Sequence, residues 1–133
     1  MVDQVEHEGR QLKSNNNLLK SFGYAFAGLK VAAQERNFKI DLAFAVFALV
    51  VCGVLRIDAH GWLAVILCIG AVLSLECVNT AIEAAVDLAS PDIHPLAKRA
   101  KDCGAAAPLI AAMISVVVGL FVWIPALIEL LQG

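Results

Sequence analysis

Between Leu18 and Gln34, the residues Leu18, Phe22, Phe26, Leu29 and Ala33 recur at helical spacing, and at about 100° per residue they share one narrow arc. Lys13, Lys20 and Lys30 fall away from that arc. The pattern predicts an amphipathic helix with a basic side, suited to lying in a bilayer interface. Ahead of it, Met1 to Asn17 is polar and rich in Gln, Asn and Glu, and reads as a frayed tail. Beyond it three apolar blocks follow. The first runs from about Ile40 to Leu55, and its charge-free stretch, Leu42 to Leu55, has 14 residues, too few to separate a span from a buried core helix. The second runs from about Trp62 to Ala89; its first half is free of charge, and its second half carries Glu76, Asn79, Thr80, Glu83 and Asp87. The third, Cys103 to Ile128, has 26 residues without a charge and is long enough to span. Pro95 suits a helix first turn, so the last helix is expected to start there, with Pro108 inside it as a kink.

Composition agrees with this layout. Hydrophobic residues make up 60% of the 133 and charged residues 17%, against about 45–50% and about 25% in soluble domains. The first twenty residues lack the apolar core of a cleavable leader, so the first hydrophobic helix is expected to act as an uncleaved insertion signal. The expected organisation is a polar tail over residues 1–17 and a single membrane domain over residues 18–133.

Charge sets the orientation. Arg10, Lys13, Lys20, Lys30, Arg36 and Lys39 precede the first span, and Lys98, Arg99 and Lys101 lie between spans two and three. With three spans these regions share a side, and Arg56 alone of the ten basic residues lies opposite. That skew predicts a cytoplasmic N-terminus. A net charge of −2 offers no field for nucleic acid. Cys52, Cys68, Cys77 and Cys103 form no C-x-x-C pair and read as small apolar residues.

The chemistry concentrates in the second span. Counted from Glu76, the positions of Asn79, Glu83 and Asp87 are offset by 3, 7 and 11, so all four project within about a quarter of the helix circumference. Ionisable groups inside a span are functional candidates, although ion pairs that fix helix packing would use the same residues. Carboxylate oxygens suit hard cations such as Mg²⁺, a carboxylate at the lipid boundary can take a proton from an alcohol, and Lys98, Arg99 and Lys101 can neutralise phosphate oxygens. Phosphoryl transfer to a lipid hydroxyl fits this set; so does a proton or cation relay. No P-loop and no protein-kinase motif is present.

The stretch Glu76-x-x-Asn79-Thr80-Ala81-Ile82-Glu83, then Asp87 and His94-Pro95-Leu96-Ala97-Lys98-x-Ala100-Lys101-Asp102, resembles the signature of the prokaryotic diacylglycerol kinase family, which includes the undecaprenol kinases. Gly23-Tyr24-Ala25-x-x-Gly28-Leu29 and Glu35-Arg36-Asn37-Phe38 resemble it too, and the likeness runs from about Ser21 to Trp123. The resemblance implies an all-α integral membrane fold: three transmembrane helices plus an N-terminal amphipathic surface helix, assembled as a homotrimer in the bacterial cytoplasmic membrane. It implies ATP as phosphoryl donor, Mg²⁺ as cofactor and a membrane lipid alcohol as acceptor. Glu76 aligns with the catalytic base, and Glu35 and Glu83 with metal-binding glutamates. Asn79 matches an active-site amide, Lys101 and Asp102 match residues around the nucleotide phosphates, and Asp87 and Lys20 match further site positions. The Asn79 to Glu83 wording and the Ser90 to Lys98 connection look more like the undecaprenol-kinase branch, with diacylglycerol as the alternative acceptor. The rival from another class is a non-catalytic oligomer with a proton or cation pathway, which predicts flux in liposomes without nucleotide.

Overall fold

The computed structural model describes residues 18, 20–90, 92 and 94–132, and all regular structure in them is helical. Helix α1 covers 20–32, α2 is Arg36–Val54, α3 is Ala59–Ala89 and α4 is Pro95–Gln132. The expected polar tail, residues 1–17, lies outside the described residues. Helices α2, α3 and α4 are each long and apolar enough to cross a membrane.

Local chemistry explains the helix ends. α1 gives way to α2 at a turn over Ala33 to Glu35, and Glu35 is the N-cap of α2 in extended conformation. α2 closes with paired bonds from Arg56 N to Gly53 O (3.3 Å) and Ile57 N to Cys52 O (3.2 Å), the arrangement that satisfies carbonyls at a helix C-terminus. It puts Arg56 at φ 52°, a left-handed conformation that usually favours glycine. α3 begins where the Asp58 carboxylate accepts from Gly61 N at 2.9 Å, an N-cap that satisfies one of the free first-turn donors. α4 begins at Pro95, and its Leu96 N–H donates to His94 Nδ1 at 3.2 Å. The helix runs on without a break through Pro108 and Pro125.

α4 lies chiefly along α3, and α2 packs on α3 with a smaller contact to α4. Gly61 lets α4 approach the start of α3, where its Cα faces Val122. Near that end Cys52 is fully buried and accepts from Trp123 Nε1 at 3.3 Å, and the Trp123 ring meets Phe47 edge to face at 6.4 Å. All four cysteines are free. Among the described residues few hydrophobic side chains are buried within the chain: Ala32, Phe38, Ala45, Cys52 and Val65. The expected apolar arc of α1 is uncovered, with Leu18, Phe22, Phe26 and Leu29 all exposed.

Candidate active site

The α3 stripe is graded in burial. Glu76 and Asn79 are each 3% exposed, Glu83 is half-buried and Asp87 is exposed. The buried end therefore faces protein, between α2 and α4, and not hydrocarbon. Beside Glu76 stands the Asn37 side chain, and its charged neighbours are Asp41, Glu83 and Glu35. Asn37 and Asp41 are four residues apart on α2, hence on one face of that helix. Thr80 Oγ1 donates to the Glu76 carbonyl at 3.0 Å and so turns its hydroxyl back onto the helix.

Glu35 enters through its position. As N-cap of α2 it makes no side-chain cap bond, so its carboxylate is left for other partners at the edge of the acidic group. Further along the stripe, Asn79 Nδ2 donates to Glu83 Oε1 at 3.1 Å. Lys101 Nζ meets Asp87 Oδ1 at 2.5 Å and ties the first turns of α4 to the last turn of α3. Lys98 Nζ meets Asp102 Oδ2 at 2.5 Å within α4. Lys20 stands apart, exposed on α1 with no ion pair among the described residues.

Among the described residues, no three of Asp, Glu, His and Cys are grouped to hold a metal by themselves. Carboxylates held together in a low-dielectric setting repel one another, and a cation relieves that repulsion. Mg²⁺ takes one or two carboxylates and completes its octahedron with water and phosphate oxygens. Glu35 and Glu83, both neighbours of Glu76, are carboxylates that could serve in this way.

An apolar groove of about 430 Å³ runs between α2, α3 and α4, lined by residues such as Phe44, Phe47, Val65, Val72 and Leu120. Among the described residues, Asp41 is the one charged residue in its lining, with Ser115 as a hydroxyl. Asp41 also lies close enough to Glu76 for their charges to interact, which links the groove lining to the buried acid. Periodicity along α3 leaves out Asp41 and Asn37. The signal that finds Asp41 is its place as a lone acid at the start of an apolar run, the same reasoning that selects Glu76.

Comparison with known proteins fits this geometry. Residues 23–123 match the model of a family described as prokaryotic diacylglycerol kinase. The chain is similar to an undecaprenol kinase of Bacillus subtilis, 43% identical over 114 residues that cover 84% of this chain and 92% of that protein. It is also similar to a diacylglycerol kinase of Synechocystis, at 41% identity over 86% of this chain and 67% of that protein. A diacylglycerol kinase of Escherichia coli is 36% identical over 75% of this chain and 83% of its own length.

Proposed function

The chain belongs to the prokaryotic diacylglycerol kinase family, and we propose that it transfers the γ-phosphoryl group of ATP to undecaprenol at the cytoplasmic face of a bacterial membrane. The observation that carries this reading is the apolar groove whose charged lining residue among those described, Asp41, neighbours the buried Glu76. A lipid alcohol with its chain along such a groove presents its hydroxyl to the acid at the end. The identity to the undecaprenol kinase, across nearly all of that protein, supports the choice of acceptor.

Glu76 accepts the hydroxyl proton as the lipid oxygen bonds to the γ-phosphorus, and the bond from that phosphorus to the bridging oxygen breaks to leave ADP. Burial on a rigid helix holds Glu76 at the lipid boundary, where proximity of the two substrates lowers the entropic barrier. Glu35 and Glu83 would hold Mg²⁺, which would supply positive charge to the phosphate oxygens. Asn79 fixes Glu83 through its amide. Lys101, Asp102 and Asp87 would flank the nucleotide, joined by Lys20 from α1, and Lys101 would exchange Asp87 for phosphate on binding.

Depth supports the site's location. Glu76 is 17 residues beyond Ala59 (76 − 59) on α3, or about 26 Å at 1.5 Å per residue, near the far edge of a hydrocarbon core about 30 Å thick. Among the described residues Lys20, Lys30, Arg36, Lys39, Lys98, Arg99 and Lys101 belong to that side and Arg56 to the other, which supports a cytoplasmic N-terminus with α1 in the interface. Within the chain, only 17%, 17% and 11% of the most apolar windows of α2, α3 and α4 are buried, which leaves broad faces for a homotrimer.

Purified protein in mixed micelles, given labelled ATP and either undecaprenol or diacylglycerol, tests the reading. Faster transfer to undecaprenol is expected. Faster transfer to diacylglycerol reverses the acceptor assignment, and transfer to neither ends the kinase reading.

A further inference from the structure

The two ends of the buried Asn79 amide meet different surroundings. Nδ2 donates to Glu83 Oε1 at 3.1 Å, whereas Oδ1 is buried and has no hydrogen-bond partner among the described residues. The carboxylate decides which end is which, because an amide oxygen set against a carboxylate oxygen would repel it. So the NH₂ faces Glu83 and the oxygen faces α4, where it meets Gly104. A Cβ on residue 104 would stand 2.8 Å from Asn79 Oδ1, and 3.3 Å and 3.5 Å from Ile82 Cγ2 and Cδ1. Gly104 lies in the interior of α4, where glycine is unfavourable relative to alanine. No described glycine has a positive φ, so the backbone does not call for glycine there. The space does.

We infer that Gly104 is a positioning residue: the room left by its missing Cβ holds the Asn79 amide in the one orientation that presents Nδ2 to Glu83. With alanine at that position the amide oxygen, at 2.8 Å, is displaced first, since it is the free end of a rotatable side chain, while Ile82 Cγ2 at 3.3 Å has to give by only a few tenths of an ångström. Glu83 then loses its donor and its fixed aim. Groups that orient a metal ligand typically change metal affinity or activity by about 10–100-fold when removed, so Gly104→Ala belongs in that range although it touches neither metal nor substrate. The metal-dependent part of this inference rests on the lipid-kinase reading; the side-chain geometry does not.

The experiment uses the full chain in micelles. First, selective ¹⁵N-Asn NMR follows the Asn79 side-chain NH₂, assigned by its loss in Asn79→Ala. Glu83→Gln should shift that signal in the otherwise natural chain and leave it unmoved in the Gly104→Ala background. An equal shift in both backgrounds overturns the inference, whatever the enzyme does. Second, Gly104→Ala and Asn79→Ala should each raise the half-saturating Mg²⁺ concentration about 10-fold or more with the lipid KM unchanged, and the double variant should be no worse than Asn79→Ala alone. Additive losses, or recovery of Gly104→Ala by Ile82→Val, would assign the defect to helix packing and overturn it.

Discussion

Lys101 Nζ lies 2.5 Å from Asp87 Oδ1, across 14 residues and from the start of α4 to the end of α3. Asp87 is largely open to water, at 65% exposure, and Lys101 is part-exposed, at 38%, so the pair adds little to stability, about 0–1 kcal/mol for pairs of this kind. Its consequence is placement of the cation. Lys101→Met is expected to raise the KM for ATP about 10-fold, in line with about 1.4 kcal/mol for one charge-assisted bond. Asp87→Asn should leave the unfolding temperature nearly unchanged. Steady-state ATP titrations and thermal unfolding of the two variants check both points; an unchanged ATP KM in Lys101→Met removes that residue from the nucleotide site.

Glu76→Gln separates chemistry from stability. The substitution keeps size and hydrogen-bonding capacity but removes the negative charge surrounded by Asp41, Glu83 and Glu35. Turnover should fall by about 10²–10⁴-fold, the range of a lost general base. Thermal stability should hold or rise, because like-charge repulsion is relieved. Near-normal transfer by this variant would reassign the base.

The groove gives a prediction on the lipid side. Ala112 lines it beside Val116 and Leu120 of α4. Ala112→Phe fills part of the space and should raise the KM for the lipid while the KM for ATP stays constant. A change in both, measured in the same micelle titration, would mean that the groove is part of the general fold and not the acceptor's path.

Far from the acidic group, Asp58 predicts a pH response. The Gly61 backbone N–H, and after it the His60 side chain, hold its carboxyl below the usual 3.8. A carboxylate whose folded pKa is depressed stabilises the fold above its unfolded value and loses that contribution as pH falls through the folded one. Stability should therefore decline below about pH 4, and the Asp58→Ala variant should show a smaller decline over the same interval. Unfolding curves of both proteins between pH 6 and pH 3 test this, with kinase activity at neutral pH unaffected.

Much of the fold is legible in the apolar pattern, and its departures have local causes. Hydropathy puts the first span at Ile40, but α2 begins at Arg36, since a polar first turn of Arg36, Asn37 and Lys39 is helical without being apolar. It puts the second near Trp62, but the Asp58 cap starts α3 at Ala59. Pro95 marks the start of α4 directly, as a residue suited to a first turn. The acid stripe is legible because Glu76, Asn79, Glu83 and Asp87 share a helix, and spacing reports faces within one helix. Asn37 and Asp41 meet Glu76 across two helices, a relation that no periodicity contains. Glu35 reads as an ordinary helix-end charge until the family motif singles it out. Gly104 reads as one of several small residues, and only its distance from Asn79 Oδ1 gives it a role.

The open faces of α2, α3 and α4 carry a consequence for handling the molecule. A chain that keeps so little apolar surface to itself borrows its solidity from whatever lies alongside, lipid or sister chain. If sister chains supply part of that support, its resistance to heat obeys mass action. Adding empty micelles at fixed protein should then lower the melting temperature, and crowding more copies into each bilayer patch should restore it.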